Sequence, residues 1–209
     1  MIDYSVTPLF PVPLYRTSLG SLEKNIRELI ETLEFEEMPS KNGHYTVNKY
    51  ILDQDKFTPL KNRIQHHVNN FLYEVLGCDK NLEFQIQNSW INRHSLNDWA
   101  ESHRHNNSLI SGVYYIDVSN DSGTITFLKD KSHYNLWPEM IDVDIDQTKL
   151  NFFNAQTWDV LPKKNDLIMF PSLLYHAVSE NKSNKLRYSL AFNVFPRGTL
   201  GGSINTLKI

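Results

Sequence analysis

The chain has 209 residues with 21 basic and 24 acidic side chains, a net charge of −3 with histidines neutral, and 40% hydrophobic content. A chain this apolar and this close to neutrality is excluded from the disordered class, and without a Lys/Arg stripe a nucleic-acid partner is not expected. No apolar run approaches the ~18 residues of a membrane helix, and a single cysteine, Cys78, excludes an internal disulfide or a Cys-rich zinc site.

The start, Met1-Ile2-Asp3-Tyr4, lacks the basic and apolar regions of a secretory signal, so a reducing, cytoplasmic setting is expected. Residues 8–14 (Pro8-Leu-Phe-Pro11-Val-Pro13-Leu) predict an extended edge strand, which a second subunit could extend into a homodimer. Ser21 then reads as a helix cap, followed by Leu22, Ile26, Leu29, Ile30 and Leu33 at helical spacing. A second helix is predicted from Thr58 as cap and Pro59 at the first helical position. Leu60, Ile64, Val68, Phe71, Leu72 and Val75 form its buried face, and Gly77 ends it.

From about residue 82 the period changes to alternation. Leu82–Asn92, Leu109–Val118, Gly123–Lys129, Trp158–Leu161, Asp166–Phe170, Leu174–Val178 and Leu186–Phe195 are strand candidates separated by polar turns. The predicted fold is mainly β with helices (α+β), a double-sheet barrel or sandwich of the jelly-roll kind backed by N-terminal helices. Residues 1–82 supply the extended segment and helices, and 83–209 the β core, as one structural unit. Residues 130–156, with Tyr134 and Trp137, are the least periodic stretch and read as an insertion or lid. Asp142, Asp144 and Asp146 resemble a calcium loop only superficially, since the glycine at the sixth position is missing and Phe153 stands where the bidentate Glu belongs.

Chemistry concentrates in Glu101-Ser-His103-Arg-His105. In an extended chain His103 and His105 point to one side, about 6.5 Å apart, and can converge on one metal ion. Chance alone supplies ~0.3 such pairs in a chain with this histidine content. A third histidine, His176, sits on a short strand after the Pro171-Ser172 turn, with Leu174 and Val178 on its face. Alone it would read as a core histidine; with the other two it makes a three-point metal site. The last strand sets Leu186, Tyr188, Leu190, Phe192 and Val194 on a core face. Arg187, Ser189, Ala191 and Asn193 occupy the other face, which is either a polar cavity or solvated. In a cavity, Arg187 could fork onto a ligand carboxylate with the Ser189 hydroxyl as second donor.

His103-x-His105, the distant His176, and Arg187-x-Ser189 eleven residues later resemble the 2-oxoglutarate/Fe(II) oxygenases. Those enzymes carry H-x-D/E, a remote His, and a basic residue about ten positions on. Ser111-Gly-Val-Tyr114-Tyr115-Ile116 and Gly123-Thr-Ile-Thr-Phe127 are similar to strands of prolyl-hydroxylase-like members. The phrases around His103–Tyr115 and Phe170–Asn193 resemble a bacterial and phage group whose substrates are largely unassigned. The resemblance implies Fe(II), 2-oxoglutarate as co-substrate and O2, with release of succinate and CO2 and hydroxylation of a small-molecule or peptide substrate, a prolyl or other amino-acid side chain among them. It implies His103, His105 and His176 as metal ligands and catalytic residues, and Arg187, Ser189 and Tyr115 on the co-substrate; Trp90 and Asn92 share a face of the strand before the motif and could line the same cavity. The departure is His105 in the carboxylate position: His105, Glu101 or water could complete the shell. Competing classes are a three-histidine, cupin-type dioxygenase that uses no 2-oxoglutarate and a non-enzymatic barrel that serves as a binding module.

Overall fold

The computed structural model describes residues 4–20, 26–129, 143–202 and 204–209. In chain order the elements are β1 (Tyr15–Ser18), α1 (Ile26–Glu31), β2 (Phe35–Glu37), β3 (His44–Thr46), α2 (Thr58–Asn69), β4 (Glu83–His94), β5 (Ala100–His103) and β6 (Ile110–Asp117). They continue with β7 (Ile125–Leu128), β8 (Thr157–Val160), β9 (Asp166–Pro171), β10 (His176–Val178), β11 (Arg187–Arg197), β12 (Thr199–Leu200) and β13 (Leu207–Lys208). The strands form a seven-stranded sheet ordered β1-β9-β6-β11-β4-β3-β2, a four-stranded sheet ordered β5-β10-β7-β8, and a small C-terminal hairpin. All ladders are antiparallel. This is the double-stranded β-helix expected from the alternating second half of the chain.

The large sheet is covered on both faces. On one side Leu60, Ile64, Val68, Phe71 and Leu72 of α2 and its continuation pack against Phe84, Ile86, Leu167, Met169, Leu190, Phe192 and Val194. On the other, Tyr115, Ile168 and Phe170 meet Ile125, Phe127 and Val160 of the small sheet. Two covered faces explain why Leu167-Ile168-Met169-Phe170 is an unbroken apolar run, each residue with no exposure. Gly112 faces Phe192 across the sheet; a Cβ there would lie 2.1 Å from the ring, so only glycine lets β6 and β11 pair at that rung.

The orientation of β4 depends on one extra residue. Asn193 pairs with Asn88 but Val194 pairs with Ile86, so Gln87 is bulged out of the ladder. A bulge reverses which face the following residues occupy. Phe84 and Ile86 therefore face the helix, whereas Asn88, Trp90, Asn92 and His94 turn into the space between the sheets.

Several local expectations are corrected. Residues 8–14 form no strand; pairing starts at Tyr15, after the prolines that lack the N–H a ladder needs, and Phe10 has a positive φ of 57°. Thr58 is already helical and Phe57 precedes it as the cap residue, without a side-chain cap bond. The helix continues as a π-helical turn over Asn70–Val75, which rotates Val75 outward to 57% exposure. Leu186 is exposed rather than core, because it precedes the strand. The Ser21 cap and Leu22, together with residues 130–142 of the suggested lid, lie outside the described residues. Among the described residues no helix is long and apolar enough to cross a membrane.

Ile64→Ala should lower the unfolding free energy by about 2–5 kcal/mol in a urea titration, whereas Val75→Ala should change it by no more than ~0.5 kcal/mol.

Candidate metal and co-substrate site

β5 and β10 pair antiparallel with His103 directly opposite His176, which places both side chains on the inner face of the small sheet. β5 ends at His103. His105 lies beyond it, and its N–H donates to Ser172 O at 2.9 Å, tying the segment to the Pro171-Ser172 turn. The ring centroids are 5.2 Å apart for His103 and His105, 4.3 Å for His103 and His176, and 5.2 Å for His105 and His176. One ring nitrogen from each lies within 4.8 Å of the others. Glu101 stands outside this group: its side chain is exposed, and what it contributes is a backbone carbonyl.

Hydrogen bonds select which nitrogen each imidazole offers. His103 Nδ1 donates to Glu101 O at 2.7 Å and His176 Nδ1 to Leu174 O at 3.0 Å. His105 Nδ1 donates to Asn193 Oδ1 at 2.9 Å. All three partners are oxygens that accept, so the proton sits on Nδ1 and the Nε2 lone pair is left free. Burial, then the charge of His103, holds the His176 pKa down to about 3. Burial and His103 also lower that of His105, against the Asn193 bond that raises it. These two imidazoles are therefore neutral at neutral pH, the form that binds metal.

Asn193 is itself held. Its Oδ1 also accepts from the Ser111 hydroxyl at 2.8 Å, and its amide N donates to Asn88 Oδ1 at 3.0 Å. Trp90 stacks on His105, centroids 5.9 Å apart and planes 16° from parallel, while its indole N–H donates to Asn92 Oδ1 at 3.0 Å. Trp90 and Asn92 thus line the cavity as the strand parity suggested, and Trp90 also restrains a histidine.

The same cavity, about 180 Å³, reaches Arg187, Ser189 and Tyr115. Arg187 is 2% exposed, donating from Nη1 to Ser122 O at 2.7 Å and from Nη2 to His94 Nδ1 at 3.2 Å. Its Nε has no partner among the described residues, nor does any of their carboxylates form an ion pair with it. A buried guanidinium without an anion is costly unless a ligand supplies one. Ser189 and Tyr115 are cross-strand neighbours, and Asn92 faces Ser189 from β4. Burial pushes the Tyr115 phenol up to about 12, opposed by Arg187, so it stays a neutral donor. Three imidazoles converging at one end, and at the other a buried guanidinium that pairs with no carboxylate of the described residues, suit a divalent metal and a dianionic oxoacid. Sequence reasoning missed His94 and the structural part of Asn193; period-2 counting onward from Asn92 along β4 and from Ser189 along β11 points to both.

A family model described as "Putative 2OG-Fe(II) oxygenase" matches residues 88–193, just over half of the chain. The protein belongs to the 2OG-Fe(II) oxygenases, enzymes that use Fe(II), 2-oxoglutarate and O2. No curated protein matches it. Among solved structures, it is similar to the epimerase SnoN from nogalamycin biosynthesis in complex with Fe3+, alpha ketoglutarate and nogalamycin RO. The TM-score is 0.60 at 16% identity, over 88% of this chain and 79% of that one. It is also similar to HygX from Streptomyces hygroscopicus with nickel, 2-oxoglutarate and hygromycin B bound, with TM-score 0.57, 12% identity and coverage of 88% and 82%. A Pseudomonas putida prolyl-4-hydroxylase matches with TM-score 0.55 at 12% identity, covering 87% of this chain and 92% of that one. At these identities the likeness is one of fold.

Burial, then Arg187, lowers the His94 pKa from 6.5 to about 3. The folded state then excludes a proton that the unfolded state takes up below pH 6.5. Stability should fall as pH drops from about 6.5 toward 3, by up to ~1.4 kcal/mol per pH unit from this residue. Urea titrations of the metal-free protein at pH 7, 6 and 5 should show a shallower pH slope for His94→Gln than for the wild type.

Proposed function

We propose that the protein inserts one oxygen atom into a C–H bond of an organic substrate. It would hold Fe(II) on His103, His105 and His176, and 2-oxoglutarate on Arg187, Ser189 and Tyr115. The balance is substrate R–H, O2 and 2-oxoglutarate in, and R–OH, succinate and CO2 out. The observation that carries this reading is the pairing of three tautomer-fixed histidines with a buried arginine that meets no carboxylate of the described residues, in one cavity.

When bound, the iron supplies O2 activation and oxidative decarboxylation of the co-substrate. The chain's own residues orient and exclude. The carbonyls of Glu101 and Leu174 and the amide of Asn193 aim the imidazoles. Trp90 fixes the His105 plane. Arg187 attracts the far carboxylate, with the Ser189 and Tyr115 hydroxyls as neutral donors. Tyr115, Phe127, Ile168 and Phe170 keep the space between the sheets apolar and poor in water. His103 is the exposed member of the triad, so substrate approaches from its side. A cavity of about 180 Å³ is small beside the usual ~300–1,000 Å³ of ligand pockets. That favours a substrate that presents one reacting group, an amino-acid side chain or a projecting part of a small molecule, while its body stays outside. Solved structures of similar fold carry hygromycin B and nogalamycin RO, which supports a small molecule; the prolyl-4-hydroxylase supports a side chain.

Adding Fe(II) and 2-oxoglutarate without oxygen should produce the visible metal-to-oxoacid charge-transfer band. Arg187→Ala should raise the 2-oxoglutarate concentration needed for half the band by about 100-fold or more. Metal binding with no band in the wild type would instead indicate a three-histidine enzyme that does not use the oxoacid. Asn193→Leu should weaken Fe(II) binding about 10- to 100-fold, read by competition with a chelator.

A further inference from the structure

Asn193 of β11 has Asn88 of β4 opposite it on one side and Ser111 of β6 on the other. Its Oδ1 accepts from His105 Nδ1 at 2.9 Å and from the Ser111 hydroxyl at 2.8 Å, while its Nδ2 donates to Asn88 Oδ1 at 3.0 Å. Ser111 Oγ lies 2.9 Å from the Ser172 hydroxyl, and the Ser172 carbonyl accepts the His105 N–H. Both neighbouring strands thus fix the amide with its oxygen toward the imidazole. The Nδ1 partners of the three histidines are two backbone carbonyls and this amide, all of them uncharged. Among the described residues that line the cavity there is no aspartate or glutamate, and the one lysine or arginine is Arg187.

We infer that Asn193 sets the oxidation state the metal site prefers: a neutral acceptor behind His105 puts no negative charge against the ligands, so the site holds Fe(II) in preference to Fe(III). The inference rests on the metal role proposed above for His103, His105 and His176. Three uncharged ligands leave the ion its whole charge. In a cavity of low dielectric response a third unit of positive charge costs more than it does in water, and Arg187 adds repulsion. A carboxylate in the place of Asn193 would strengthen the donation of the imidazole to the metal and offset the extra charge of Fe(III). The fold can accommodate one. Aspartate has the shape of asparagine, one of its oxygens would accept from His105 and Ser111, and Asn88 can turn its amide to donate to the other. Asn193 therefore acts on the metal through His105, as a positioning residue whose lack of charge matters as much as its hydrogen bond.

The test is a mediated redox titration of the iron-loaded protein without 2-oxoglutarate, in which each Fe(III) takes up one electron and the remaining Fe(III) is read by electron paramagnetic resonance. Asn193→Asp should shift the Fe(III)/Fe(II) ratio at a given potential toward Fe(III) by about 10-fold or more. Each tenfold is a midpoint potential lower by about 59 mV. Asn88→Asp, whose carboxylate still accepts from Asn193 Nδ2, adds its charge further from the ring and should shift the ratio the same way by less; it carries the test if Asn193→Asp does not fold. Asn193→Leu, which removes the bond without adding charge, should not shift the ratio toward Fe(III). An unchanged ratio in Asn193→Asp, or in Asn88→Asp where that variant stands alone, would overturn the role of Asn193, as would an equal shift in Asn193→Leu. A wild-type protein that binds no iron, or that keeps its iron affinity in His105→Ala, would overturn the metal reading itself.

Discussion

The site depends on a constraint no metal imposes: each of three imidazoles gives its Nδ1 proton to an oxygen already fixed by the fold. Two of those oxygens are backbone carbonyls two residues upstream of their own histidines, Glu101 for His103 and Leu174 for His176. The third, Asn193, is 88 residues away in sequence and stands on β11. Local geometry alone therefore orients two rings, whereas the third is oriented only when the large sheet has formed and the Ser172 carbonyl has captured the His105 backbone. The metal end of the cavity is thus a product of tertiary structure, even though two of its histidines are close in sequence.

Charge is distributed in an unusual way along the cavity. His105 and His176 are neutral, and an amide occupies the position behind His105 where a carboxylate could have restored negative charge. A divalent ion there would keep its full charge, and the one Lys, Arg, Asp or Glu among the described lining residues, Arg187, is also positive. Both ends then attract a dianion whose two carboxylates are separated by a short carbon chain. The apolar residues between the sheets strengthen that attraction by lowering the local dielectric response. The same logic accounts for the neutrality of His94: a protonated ring beside Arg187 would add repulsion as well as desolvation.

Much of this was legible in the sequence. The histidine spacing, the apolar strand leading to Pro171 and His176, and the alternation of β11 each carry a side-chain direction that simple periodicity recovers. The alternation succeeded because β11 is regular from Arg187 to Asn193, with Leu190 and Phe192 on the helix side and Ser189 and Ala191 on the cavity side. Other features left no local trace. The Gln87 bulge reverses the parity of β4 without a glycine or proline to announce it, so the direction of His94 could not be counted from Phe84 and Ile86. Likewise Thr58-Pro59 is a sound helix-start signal, but a preceding turn through Phe57 moves the boundary by one residue. The proline-rich segment failed as a strand for the opposite reason: extended backbone is necessary for pairing, yet residues without N–H groups cannot complete a ladder.

The most direct test of the account is a crystal structure of the protein grown with Zn(II), using anomalous scattering to place the ion. The account predicts one ion about 2.0–2.1 Å from Nε2 of His103, His105 and His176, with Nδ1 of each ring still bonded to Glu101 O, Asn193 Oδ1 and Leu174 O. An ion bound through Nδ1, or one that leaves His105 free and recruits Glu101, would contradict it.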